Sequence, residues 1–146
     1  MTYVAKALAI VGLISSALGW NSSAQAADVS VGTYVYNGPC AEQRFLNQIY
    51  NRFRYQVRHV PGLPDVSILE FRDIHERRYE GDSTDWPIPR LYCGATVVLS
   101  DGDIRDMWYL VEYGMGFAGV GNNVEFCVSG FDRWYVYNGR CRVLRE

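Results

Sequence analysis

Lysine and histidine are nearly missing from this chain of 146 residues: lysine occurs once, at Lys6, and histidine twice, at His59 and His75. With no C-x-x-C pair, the four cysteines Cys40, Cys93, Cys127 and Cys141 lack zinc-ligand spacing. No serine or cysteine nucleophile stands beside either histidine. No strong charge of one sign is present either, with 14 basic and 16 acidic residues. That balance excludes a nucleic-acid binder that relies on a basic field. The apolar run Ala7–Trp20 is about 14 residues, short of the ~20 that span a bilayer as a helix. The EF-hand pattern is absent around Asp101, Asp103 and Asp106, and turn chemistry accounts for Asp101.

What is present at the N-terminus has the order of an export signal. A short start carrying Lys6 precedes the apolar run, and Ala24-Gln25-Ala26 offers small residues as an A-x-A cleavage site. Residues 1–26 are therefore expected to be a cleavable signal peptide, and 27–146 a single domain. No cysteine lies at the cleavage site, so lipid modification there is not expected. The expected location is the periplasm of a Gram-negative bacterium or the secreted space, with no stable membrane span after cleavage. All four cysteines follow residue 27, and in an oxidising compartment two disulfides are the default. From residue 27 onward 13 basic residues, all arginine, face 16 acidic ones. Arginine in that role reflects either genome composition or its capacity to stack on rings and to pair with carboxylates through a forked guanidinium.

The pattern predicts one helix followed by strands. Val29, Val31, Thr33 and Val35 alternate over 27–37 as a possible first strand. Gly38-Pro39 opens the helix with Pro39 in its first position, and Glu42 falls in its first turn. Phe45, Leu46, Ile49, Tyr50, Phe53, Val57 and Val60 share one face. Pro61-Gly62 ends it. Residues 66–79 read as a strand with Leu69 and Phe71 on one face and a bulge near Arg72-Asp73. Residues 91–99 and 104–113 flank Asp101-Gly102, a two-residue hairpin signal. That turn sets Leu99 opposite Ile104, Val97 opposite Asp106 and Cys93 opposite Leu110. Residues 124–129 form a further strand. Residues 134–137 and 140–144 flank Asn138-Gly139 as a second hairpin.

A helix before a run of antiparallel strands predicts an α+β fold, with the helix packed across a curved sheet. Over residues 38–144 this element order resembles the cystatin-like and NTF2-like architectures, and the chain resembles small exported alphaproteobacterial proteins of unknown function. Strand spacing limits the disulfides. In a simple meander, Cys127 lies two strands from Cys93, so Cys40–Cys93 with Cys127–Cys141 fits best. Cys40–Cys141 with Cys93–Cys127 is the rival if strand order is not sequential.

Few residues point to chemistry. Gly114-Met115-Gly116-Phe117-Ala118-Gly119 spells G-x-G-x-x-G after a strand, but no helix is expected to follow. It reads as a glycine-rich contact loop carrying Met115 and Phe117. Asp73, His75, Glu76 and Tyr79 form a possible acid–base cluster, in which Asp73, His75 and Tyr79 share a face only if strand alternation is unbroken. Residues 104–113 are apolar on both faces, so the chain or a partner must cover the second one. Met107, Tyr109, Val111 and Tyr113, with Met115 and Phe117, are the expected binding surface. The expected function is a non-catalytic module binding a periplasmic protein or envelope component, with no cofactor and no metal. The alternatives are a small NTF2-like pocket enzyme using Asp73, His75 or Tyr79, and an inhibitor of a hydrolase such as lysozyme.

Overall fold

The computed structural model describes residues 36–85 and 87–145. The signal at 1–26 lies outside these, as does the strand expected from residue 27, save Tyr36 and Asn37, which are irregular. Helix α1 (Gln43–His59) packs against a four-stranded antiparallel sheet that does not close. Its strands are β1 (Ile68–Glu80), β2 (Arg90–Leu99), β3 (Ile104–Glu112) and β4 (Asn123–Val128), in sequential order. A short helix, α2 (Arg142–Arg145), follows. The fold is α+β.

Helix α1 begins later than Gly38-Pro39 suggests. Pro39–Ala41 forms a separate 3-10 turn, and Glu42 is extended at φ −61° and ψ 122°. The Glu42 carbonyl then accepts the Phe45 and Leu46 N–H groups, making it the N-cap rather than a first-turn residue. The break serves Cys40. Its thiol is committed to Cys93, and its carbonyl accepts the Tyr109 hydroxyl at 2.6 Å. Phe45, Leu46, Ile49, Phe53 and Val57 are buried along α1, as their spacing predicts.

The β2–β3 hairpin departs from the expected register by one residue. Val98 pairs with Ile104, Val97 with Arg105 and Cys93 with Tyr109. The Leu99 N–H donates to Asp103 O at 2.8 Å, and Gly102 N–H donates to Leu99 O at 3.0 Å. The loop is therefore the three residues Ser100-Asp101-Gly102, with only Gly102 at positive φ, 89°. A type I turn closed by a left-handed glycine wins over the two-residue turn, which needs positive φ at both central residues. Asp101 supports it, its Oδ1 accepting the Asp103 N–H at 3.0 Å.

Strand β1 carries the expected irregularity and more. Register shifts fall between Ile68 and Glu70, Arg72 and His75, and Glu76 and Arg78. Asp73, at φ 50°, lies in the second. Each extra residue turns alternation into a three-residue step, so Ile68, Phe71 and Ile74 face the core while Leu69 is exposed. Leu69 and Phe71 do not share a face.

The second hairpin does not form. Asn138, Gly139, Arg140 and Cys141 have consecutive positive φ, from 51° to 68°, and the chain turns into α2. Both disulfides are those of the meander, Cys40–Cys93 and Cys127–Cys141, with Cα separations of 5.8 and 5.5 Å. Cys141, however, lies on a turn rather than a strand.

The two bridges span 53 and 14 residues of sequence. Removing either by paired Cys→Ala substitution should cost about 2–4 kcal/mol in denaturant unfolding. Loop-closure entropy makes Cys40–Cys93 the costlier by about 1 kcal/mol. A larger loss from the Cys127–Cys141 pair would contradict this order.

Candidate functional site

The one-residue register shift decides which face of β3 is available. Were Cys93 opposite Leu110, the helix side of the sheet would hold Trp108 and Leu110. With Cys93 opposite Tyr109, that side holds Met107, Tyr109 and Val111, because a one-residue slip exchanges the two faces. All three are fully buried beneath α1, with Phe45, Ile49 and Phe53. Burial pushes the Tyr109 hydroxyl well above the usual range, with neighbouring Tyr36 adding to it. These residues are core, and the expected binding face is corrected accordingly. Tyr113 is half-buried against the same core. Met115 and Phe117 are exposed.

The chain itself covers the other face. Leu110 and Cys127 are buried with Cys141 and Leu144, and Tyr92, Trp108 and Tyr137 pack around them. The Cys127–Cys141 bridge holds the C-terminal segment there. Arg145 lies over the Trp108 ring at 5.8 Å, and Arg78 over Tyr92 at 4.1 Å. Stacking is one use of the arginines.

The acid–base cluster is not assembled. Tyr79 pairs with Leu91 and Glu76 with Cys93, on the core side of the register, whereas His75 pairs with Gly94. The register shift between Glu76 and Arg78 thus puts His75 and Tyr79 on opposite faces. His75 Nδ1 lies 2.7 Å from Asp73 O, so its partner is backbone rather than a carboxylate. Asp73, His75 and Tyr79 are all exposed.

A concavity lies at the other end of α1. A groove of about 480 Å³ runs between the C-terminal half of α1 and the segment 131–137. Tyr55 and His59 stack on its helical wall, 3.8 Å between ring centroids. Phe126 and Phe131 contribute apolar lining, and Trp134, Val136 and Tyr137 belong to the facing segment. Gln56 Nε2 donates to Phe131 O at 3.0 Å, and Arg52 donates to Val124 O, tying the wall to β4 and the loop. A second hollow of about 610 Å³ lies by the same segment, beside Gly62, Leu63 and Pro64.

Segment 131–137 therefore stands between two hollows, with Phe131 buried and Trp134, Tyr135 and Val136 turned outward. Trp134, Tyr135 and Val136 are 63%, 73% and 69% exposed. Its backbone is nonetheless held. Tyr135 N–H donates to Asp132 O at 3.2 Å, Tyr137 N–H to Asp132 Oδ1 at 3.3 Å, and Asn138 N–H to Tyr135 O at 2.9 Å. Asp132 Oδ2 is buried without a hydrogen-bond partner. Left-handed backbone at Tyr135, Asn138, Arg140 and Cys141 is unfavourable for side-chain-bearing residues. Such conformations persist where surroundings fix them, and they cluster at binding sites. Trp134, Tyr135 and Tyr137, between two half-cystines, stand out in the sequence as part of an aromatic excess suited to a contact surface, although the pattern there predicts a hairpin.

No protein-family model matches the chain, and comparison with curated proteins and with solved structures gave no match. Among the described residues no group of three histidine, cysteine or acidic side chains could hold a metal. No described helix is long and apolar enough to cross a membrane.

Burial pushes the Tyr137 hydroxyl up to about 12, reinforced by Glu125 and Asp132 and opposed by Arg52 and the Phe126 backbone. The unfolded chain loses this proton near pH ~10, so folding retains a proton that the unfolded state gives up. Stability from this group is full below pH ~10 and falls as pH rises toward 12. Denaturant midpoints measured from pH 9 to 12 should decline, and less steeply in Tyr137→Phe. Equal declines in both proteins would contradict the assignment.

Proposed function

We propose that this protein is a non-catalytic binding module of the bacterial periplasm or secreted space, and that segment 131–137 makes the contact. The observation that carries this reading is the pairing of exposure with fixation. Trp134, Tyr135 and Val136 are turned to solvent on a backbone closed by Cys127–Cys141 and tied to α1 through Gln56. Aromatic residues on a pre-ordered loop lose little conformational freedom on binding and are favoured interface anchors. The two disulfides fit an oxidising, extracytoplasmic environment. The partner is a protein or an envelope component.

A photo-crosslinker at Tyr135 should trap a defined periplasmic partner, whereas one at Asp82 should not. Binding of the purified partner should weaken by about 2 kcal/mol or more in Trp134→Ala. Equal trapping from both positions, or unchanged affinity in Trp134→Ala, would count against the reading.

The same disulfide-closed loop supports a second reading, inhibition of a hydrolase such as lysozyme by insertion of Trp134 and Tyr135 into its cleft. Lysozyme inhibition that disappears on disulfide reduction would support it, and no inhibition by the oxidised protein would remove it.

A further inference from the structure

A second apolar projection lies away from segment 131–137, in the loop joining β3 to β4. Phe117 is 95% exposed and Val120 78%, with Met115 also turned to solvent. From Tyr113 through Asn123 no residue is charged. We infer that this loop is a membrane-interface contact, in which Phe117, Val120 and Met115 enter the boundary between lipid headgroups and acyl chains.

Three features support a lipid occupant. The first is backbone satisfaction, because peptide groups carried toward hydrocarbon need partners within the protein. Gly116 N–H donates to Gly121 O at 3.1 Å, Gly119 N–H to Gly116 O at 2.9 Å, and Val120 N–H to Phe117 O at 3.0 Å. Gly114 N–H donates to Asn122 Oδ1 at 3.1 Å. The tightness depends on Gly116, where a Cβ would stand 2.0 Å from Val120 O. Bound in this way, the glycines form a fixed tip.

The second feature is the base of the loop. Glu112 accepts from Arg90 Nε at 3.1 Å and from Asn123 Nδ2 at 3.1 Å, joining β2, β3 and β4 beneath the loop and leaving the acid paired. The third is tyrosine at the base of the loop: Tyr113 directly follows β3, and Tyr79 pairs with Leu91, itself paired with Val111, at the same end of the sheet. Tyrosine at that level matches the preference of amphipathic rings for the headgroup region. A contact of three apolar side chains is weak and reversible, comparable to a single acyl anchor with K of about 10⁴ M⁻¹. An uncharged tip further requires that binding depend little on salt or on anionic lipid.

The test is flotation of the exported, disulfide-intact protein with neutral phosphatidylcholine vesicles, at low salt and at 1 M salt. Comparable binding at both is expected. Phe117→Asp and Val120→Asp should each weaken it about tenfold or more, while Phe117→Leu and Tyr135→Asp should retain it. Unchanged thermal melting of the Asp variants separates loss of contact from loss of fold. The inference is overturned if the wild-type protein fails to float, which would leave a protein pocket as the tip's occupant. Binding that survives Phe117→Asp overturns it, as does binding that needs anionic lipid and disappears at high salt. Segment 131–137 is untouched by the Phe117 and Val120 substitutions, so its partner binding stands or falls separately.

Discussion

Strand β3 is apolar on both faces, and a strand of that kind must be covered twice. Helix α1 covers Met107, Tyr109 and Val111. The C-terminal segment covers Leu110, with Trp108 packed beside it. Each cover is fastened by one disulfide, Cys40–Cys93 at the start of α1 and Cys127–Cys141 from β4 to the C-terminal turn. For a domain of this size a single hydrophobic layer leaves little stability to spare. Two layers stapled to one central sheet meet that limit.

The same arrangement closes the sheet's edges. Val124 O on the outer strand β4 accepts from Arg52 of α1, and Phe131 O just beyond β4 accepts from Gln56 of the same helix. Strand β1, the opposite edge, is broken by three register shifts and carries Glu70, Arg72, Glu76, Arg77 and Arg78. Bulges and charges of this kind discourage pairing with another chain. With the middle of β3 covered on both faces and both edges blunted, most exposed large apolar side chains lie outside the sheet, although Leu69, Tyr79 and Ile104 are exposed on its strands. That is why segment 131–137 and the loop after β3, rather than the sheet, carry the proposed contacts.

Much of this fold was legible in residue order. The spacing from Phe45 to Val57 marked the buried stripe of α1, and the meander with its strand spacing favoured the two cysteine pairs that form. The binding face was misread through one turn. Asp101-Gly102 has the composition of a two-residue loop, yet the added Ser100 shifts the pairing by one and moves Tyr109 from the surface to the core. Asn138-Gly139 misled in a different way, because composition does not reveal that four successive residues adopt left-handed backbone under a disulfide. Met115 and Phe117 were identifiable as exposed because glycine spacing signals a loop whatever the register. Trp134 and Tyr135 stood out as an aromatic excess suited to a contact surface, but an aromatic pair in an expected strand reads equally as core.

The two-sided covering of β3 can be measured most directly by hydroxyl-radical footprinting, comparing the oxidised protein with the Cys127→Ala/Cys141→Ala variant. Met107 and Tyr109 should remain unreactive in both proteins. Trp108 and Leu110 should become several-fold more reactive only when the bridge is removed. Ready oxidation of Met107 in the intact protein would contradict the assignment, since it would place that face of β3 in solvent.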